Sequence, residues 1–304
     1  MQTIAAFSKR YPVLTYYVLT FAISWSAILW VIVTGGIPAT KEEMNAVLPV
    51  AIVAMLLGPS AAGLLMTGLV DGRPGFRTLG SRLGRWRVSV RWYVIAIFLI
   101  PLVLLVGFVA LAQFSPVYLP GIFTADDKSS RLMMGILAGL AVGICEELGW
   151  TGFATPKLRL RHSILYTGII VGVLWGAWHI ASHVVLASGA YSAPLSPTVY
   201  ILARGLGFLA GQLVAIRVLI VWVHDRTGSL LLAMLMHWTY TASTMILEPT
   251  GIAGVPLLIY DLVAALTMWI VVAAVAVINR GTLEARRPNE DAHPEAAPTY
   301  PRTV

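Results

Sequence analysis

Gly143-Ile144-Cys145-Glu146-Glu147-Leu148-Gly149-Trp150-Thr151-Gly152-Phe153 places two adjacent carboxylates inside an apolar run that reads as a membrane-spanning helix. A carboxylate is costly in hydrocarbon, so such a pair marks either a functional site or a helix end that reaches interfacial water. His179 and His237 also lie inside apolar runs, which favours the functional reading. Adjacent helix positions point about 100° apart, so Glu146 and Glu147 cannot both face one point. One is expected to face the reaction and the other a supporting partner.

The rest of the chain shares this apolar character. Of its 304 residues 58% are hydrophobic and 12% charged, and the mean hydropathy is +0.81. A soluble domain carries about twice that charged fraction. The reading is therefore an all-α polytopic membrane protein with about eight transmembrane helices. The expected spans are 12–34, 47–70, 93–114, 132–153, 164–187, 199–223, 229–247 and 254–278. Residues 1–279 form one membrane domain, and the proline-rich polar segment 280–304 reads as a disordered tail. No short apolar stretch with a small-residue cleavage site precedes the first span, which reads as uncleaved.

Loop charge sets an expected orientation. Sixteen lysines and arginines fall on the side of the two termini, against three on the other, Lys41, Lys128 and Arg131. The positive-inside bias puts both termini in the cytoplasm. The net charge of +7 is accounted for by this topology, so it is not a nucleic-acid footprint. The segment from Arg73 to Arg91 also carries Phe76, Leu79, Leu83 and Trp86 at helical spacing, which predicts an interfacial helix on anionic lipid. The one cysteine, Cys145, excludes an intramolecular disulfide and a CxxC metal site.

Depth links some of the buried polar groups. Counting back from Phe153, Glu146 lies about 10 Å in, while His237 counted from Ser229 lies about 12 Å in. Arg217 in the sixth span falls at about 9 Å, and His179 at about 24 Å unless its helix starts in a recessed elbow at 156–162. Arg204 is expected to snorkel at the far end of the sixth span. His179 and His183, like His237 and Thr241, are four apart and share a helix face. A carboxylate and two histidines in a low-dielectric pocket can activate water, the imidazoles holding either a metal ion or the water itself. For His183 the spacing is the whole signal, and a packing role is expected.

Three ordered motifs carry a resemblance. Glu146-Glu147-Leu148-Gly149-Trp150-Thr151-Gly152-Phe153, Trp175-Gly176-Ala177-Trp178-His179 and Thr227-Gly228-Ser229 followed by His237 resemble those of the CaaX protease and bacteriocin-processing (CPBP, or ABI) family of intramembrane endopeptidases. They cover about residues 130–245. Gly58-Pro59-Ser60 and the arginine-rich segment after it are similar to the family's upstream portion. The family pattern is EExxxR, FxxxH and HxxxN. By position, Glu146 resembles the acid that activates water, Glu147 its neighbour, and His179 and His237 the histidines that complete the site. The resemblance implies that Glu146, His179 and His237 act either around a metal ion, with zinc the expected one, or directly on water and the oxyanion. Thr241 stands where the family has asparagine, Trp175 where it has phenylalanine, and Thr151 where it has arginine.

That arginine would sit four residues after Glu147, at ion-pair spacing. Without it Glu147 would protonate, reach interfacial water or find another cation; Arg217 is the candidate, and the alternative is that Arg217 snorkels to the cytoplasmic interface and touches only lipid phosphate. The expected function is hydrolysis of a peptide bond near a membrane-embedded or lipidated segment. A family member that only binds a membrane peptide, as in bacteriocin immunity, is the alternative, and a proton relay or transporter is a third. Few lysines among many arginines, with abundant Ala and Gly, suggest the inner membrane of a GC-rich bacterium.

Overall fold

The computed structural model describes residues 4–35, 41–187, 197–279 and 283–284. Most of these residues are helical, with no strand among them. Among the described residues, eight helices are long and apolar enough to cross a membrane: Pro12–Trp30, Pro49–Leu83, Val90–Ala112, Lys128–Arg159, Ile164–Ser182, Leu202–Thr227, Leu230–Leu247 and Gly254–Ile278. They are named here the first to the eighth span. The protein is thus an all-α multi-pass membrane protein, as its composition implies.

The second span contains Pro49 and Pro59 and still stays helical through Met66. Pro59 has no N–H for the carbonyl of Met55, and Ser24 of the first span donates to that carbonyl at 3.3 Å instead. Ser60 donates in turn to the Cys145 carbonyl, tying the second span to the acid-bearing helix. The arginine-rich stretch beyond Asp71 is a separate helix, because Gly72 turns the chain at φ 61°. The helix Gly72–Leu83 is the expected interfacial element, with Leu79 turned in and Phe76 and Leu83 turned out.

The fourth span is longer than its sequence suggests. Its α-helix Lys128–Gly149 passes through a π-helical turn, Trp150–Ala154, into Thr155–Arg159. Measured from Arg159, Glu146 is about 20 Å deep, close to the roughly 22 Å of His179 from Ile164. Ending the fourth span at Arg159 brings Glu146 and His179 to similar counts, while His237, counted from Ser229, stays at about 12 Å.

Close helix approach positions the site. Gly135, Gly139 and Gly143 of the fourth span lie against the seventh, where a Cβ on Gly143 would come within 2.7 Å of the Met234 carbonyl oxygen. Gly168, Gly172 and Gly176 of the fifth span lie in the same way against the sixth, and a Cβ on Gly172 would stand 2.7 Å from the Val214 Cα. Both stripes repeat every four residues, the spacing that lets membrane helices pack backbone to backbone.

Arg204 does not snorkel. It pairs with Asp261 of the eighth span at 2.7 Å, and Gln212 donates to the same carboxylate. The structure describes two residues of the C-terminal segment, Leu283 and Glu284. Leu283 is buried and Glu284 pairs with Arg159 at 2.8 Å. The other residues of 280–304 lie outside the described residues.

Candidate active site

The two glutamates diverge as helix geometry requires. Glu146 faces the fifth span, and one of its oxygens, Oε2, accepts from the indole N–H groups of Trp175 at 2.7 Å and Trp150 at 3.1 Å. Glu147 faces the sixth and seventh spans. Its Oε1 accepts from Arg217 Nη1 at 2.8 Å and pairs with His237 Nδ1 at 2.7 Å. Its Oε2 lies 3.0 Å from Arg217 Nη1 and accepts from the Thr151 hydroxyl. The expected pairing of Arg217 with Glu147 is present.

Glu147, Arg217 and His237 are fully buried, whereas Glu146 keeps 2% of its surface exposed. Arg217 reaches Glu147 because the sixth and seventh spans form a tight hairpin. Gly228 ends the sixth span in the left-handed region at φ 63°, and Ser229 caps the seventh by accepting from Leu232 N. Arg217 and His237 therefore stand side by side on antiparallel neighbours.

Trp175 is the hub. Its N–H holds Glu146, its carbonyl lies 2.9 Å from His179 Nδ1, its ring stands edge-on to His237 at 4.9 Å, and the Arg217 guanidinium sits 4.4 Å over its face. Trp178 packs edge-on to His179 at 4.7 Å. The structure thus brings Glu146, Glu147, His179 and His237 to one centre. Thr241 is half-buried one turn beyond His237, and among the described residues its hydroxyl bonds none of the four. The side chain of His183 lies outside the described residues.

Sequence reasoning missed Trp150 as a donor and read Trp175 only as standing in place of phenylalanine. An indole reads as apolar in a hydropathy pattern, although its N–H must be satisfied when buried. The available signal was position: Trp150 lies four residues after Glu146, and Trp175 four before His179.

The metal expectation meets a different arrangement. A neutral histidine that donates from Nδ1 to a carbonyl or carboxylate leaves Nε2 as an acceptor, the usual tautomer of a metal ligand. His237 Nε2 is buried with no hydrogen-bond partner among the described residues. Even so, no three His, Cys, Asp or Glu side chains among the described residues are grouped closely enough to hold a metal ion.

Fold and site together define a class: a multi-pass membrane protein with a buried centre of two carboxylates and two histidines. Residues 128–243 match the family model of the type II CAAX prenyl endopeptidase Rce1-like proteins, and the resemblance carried by the three motifs is shown in that segment. The chain is also similar to CAAX prenyl protease 2 of Methanococcus maripaludis, 22% identical over 252 residues, which are 80% of this chain and 88% of that protein.

Proposed function

We propose that the protein is an intramembrane endopeptidase in which Glu146 activates water for attack on a peptide carbonyl. The observation that carries this reading is the gathering of Glu146, His179 and His237 around Trp175. Glu146 takes a proton from water as the water oxygen bonds to the carbonyl carbon. That proton then goes to the amide nitrogen as the C–N bond breaks, releasing an amine and a carboxylic acid, which then ionises. An acceptor Nε2 on His237 or His179 would receive the second water proton as a hydrogen bond and so orient the attacking lone pair. In a site this dry such bonds are worth more than in water.

The substrate class follows from the matched proteins' names: a membrane-associated peptide whose cysteine carries a prenyl chain near the C-terminus. The test uses the full-length protein in lipid vesicles, given a farnesylated peptide with three residues beyond the modified cysteine and, in parallel, the unmodified peptide. Hydrolysis in H2(18)O places one heavy oxygen in the new carboxylate, read by mass spectrometry. Absence of cleavage of both peptides would remove the reading. It would favour a peptide-binding role.

A further inference from the structure

Six arginines lie between Arg73 and Arg91, and one of them reaches the turn that joins the sixth and seventh spans. Arg85 lies across Gly228, where a Cβ would stand 2.6 Å from the Arg85 Nη1. The Ser229 hydroxyl donates to the Arg85 carbonyl at 2.7 Å and fixes its backbone there. Gly228 N donates in turn to the His224 carbonyl at 2.7 Å, so His224 lies one helical turn beneath that guanidinium. His224 keeps 8% of its surface exposed, and its Nε2 is buried with no hydrogen-bond partner among the described residues. A polar atom buried unpaired is costly, and a ligand would satisfy it.

The charges around this imidazole do not cancel. Those within its electrostatic reach are Arg82, Asp225, Glu147 and Arg85, and Asp71 is within reach of Arg82. Each of the three acids already has a cation of its own. Asp225 has Arg159 at 2.7 Å, Glu147 has Arg217 at 2.8 Å and Asp71 has Lys157 at 2.9 Å. Half-buried Arg82 and exposed Arg85 make no side-chain hydrogen bond or ion pair among the described residues. Two guanidiniums are thus left over, beside the exposed apolar side chains of Phe76, Leu83 and Trp86 that suit the headgroup layer of a membrane.

We propose that Arg82, Arg85 and His224 form a binding site for one phosphate group, supplied by the headgroup of an anionic lipid. Guanidiniums hold phosphate oxygens with paired N–H donors, and an imidazole Nε2–H adds a third donor from beneath. Basic pockets between helices at the membrane surface take lipid headgroups in this way. The bound phosphate would tie the interfacial helix to the hairpin of the sixth and seventh spans, and so stabilise the fold. The site stands whether or not the protein cleaves peptides.

The test follows melting of the full-length protein in detergent micelles as dioleoylphosphatidylglycerol, dioleoylphosphatidylcholine or inorganic phosphate is added at constant ionic strength. Phosphatidylglycerol should raise the wild-type melting temperature by about 3 °C or more, and phosphatidylcholine by less than half as much. A shift with the anionic lipid and not with inorganic phosphate supports the headgroup as occupant; equal shifts support the phosphate site with free phosphate as its source. Arg85→Gln, at an exposed position, should fold and need about 10-fold more lipid for the same shift. Arg87→Gln is the control. It removes the same charge from the same segment, where the guanidinium lies 5.0 Å over the Trp86 ring, and should leave the titration unchanged. His224→Leu should melt higher than wild type without lipid, because the unpaired atom is gone, yet gain less from lipid. Should that variant not fold, Arg82→Gln replaces it, with the same 10-fold weakening expected. Equal weakening in Arg85→Gln and Arg87→Gln would mean diffuse attraction to the surface and overturn the proposal. So would an unchanged titration in Arg85→Gln or in the second variant, or a wild type that neither the anionic lipid nor phosphate stabilises.

Discussion

At the scale of single residues, the acid Glu146 is held by two indoles, and among the described residues no cation is in hydrogen-bond contact with it. Its Oε2 receives both N–H groups, which fixes the carboxylate in direction. Removing one such bond to a charged acceptor costs about 1.5–3 kcal/mol. Trp175→Phe keeps an aromatic ring beside His237 and removes the N–H. It is expected to lower kcat by about 10- to 100-fold with little change in KM, measured on the peptide that wild type cleaves. An unchanged kcat would mean that the indole only packs. The glutamates and histidines were legible in the sequence because ionisable groups in hydrocarbon are rare and costly. Their indole partners were not, because nothing in a hydropathy pattern separates a donating tryptophan from a packing one.

At the scale of helices, the site depends on backbones meeting along the two glycine stripes. Gly172→Ala would push a methyl toward Val214 Cα, which cannot yield without separating the fifth span from the sixth. Both Trp175 and Arg217 would shift, so a clear loss of melting temperature and of activity is expected, about 2 kcal/mol or more of destabilisation. Gly80→Ala is the control. It lies in the interfacial helix with no atom within 4 Å of the added methyl, so it should be neutral or stabilising by up to about 1 kcal/mol. Equal melting curves for the two variants would contradict the role given to the stripe. Eight spans were readable from apolar length alone. The true end of the fourth was not, because Pro156 and Lys157 mimic a helix stop, while a π-helical turn carries the chain through to Arg159. Nor did apolar length reveal which faces meet: the four-residue glycine repeats held that information, and a hydropathy window averages them away.

At the scale of the whole molecule, the described charged residues segregate. Lys157 pairs with Asp71 and Arg159 with Asp225 on the arginine-rich side, while Arg204 and Asp261 pair near the opposite end of the sixth span. Sixteen loop and tail cations against three predict that the Gly72–Leu83 side faces the cytoplasm. Membrane-impermeant thiol labelling of right-side-out cells, on a Cys145→Ser background, checks this. Asp126→Cys should label in intact cells, and Gly80→Cys only after permeabilisation; the opposite pattern would reverse the orientation.

The hydrolytic role of Glu146 is the central claim, and one comparison tests it most directly. Wild type and Glu146→Gln, reconstituted side by side, are given the farnesylated peptide in H2(18)O. Glutamine keeps the shape and can still accept from both indoles, so the melting temperature should hold within about 3 °C. Cleavage should fall by at least about 10²-fold, because an amide cannot take the proton from water. A folded Glu146→Gln protein that incorporates heavy oxygen at the wild-type rate would contradict the account.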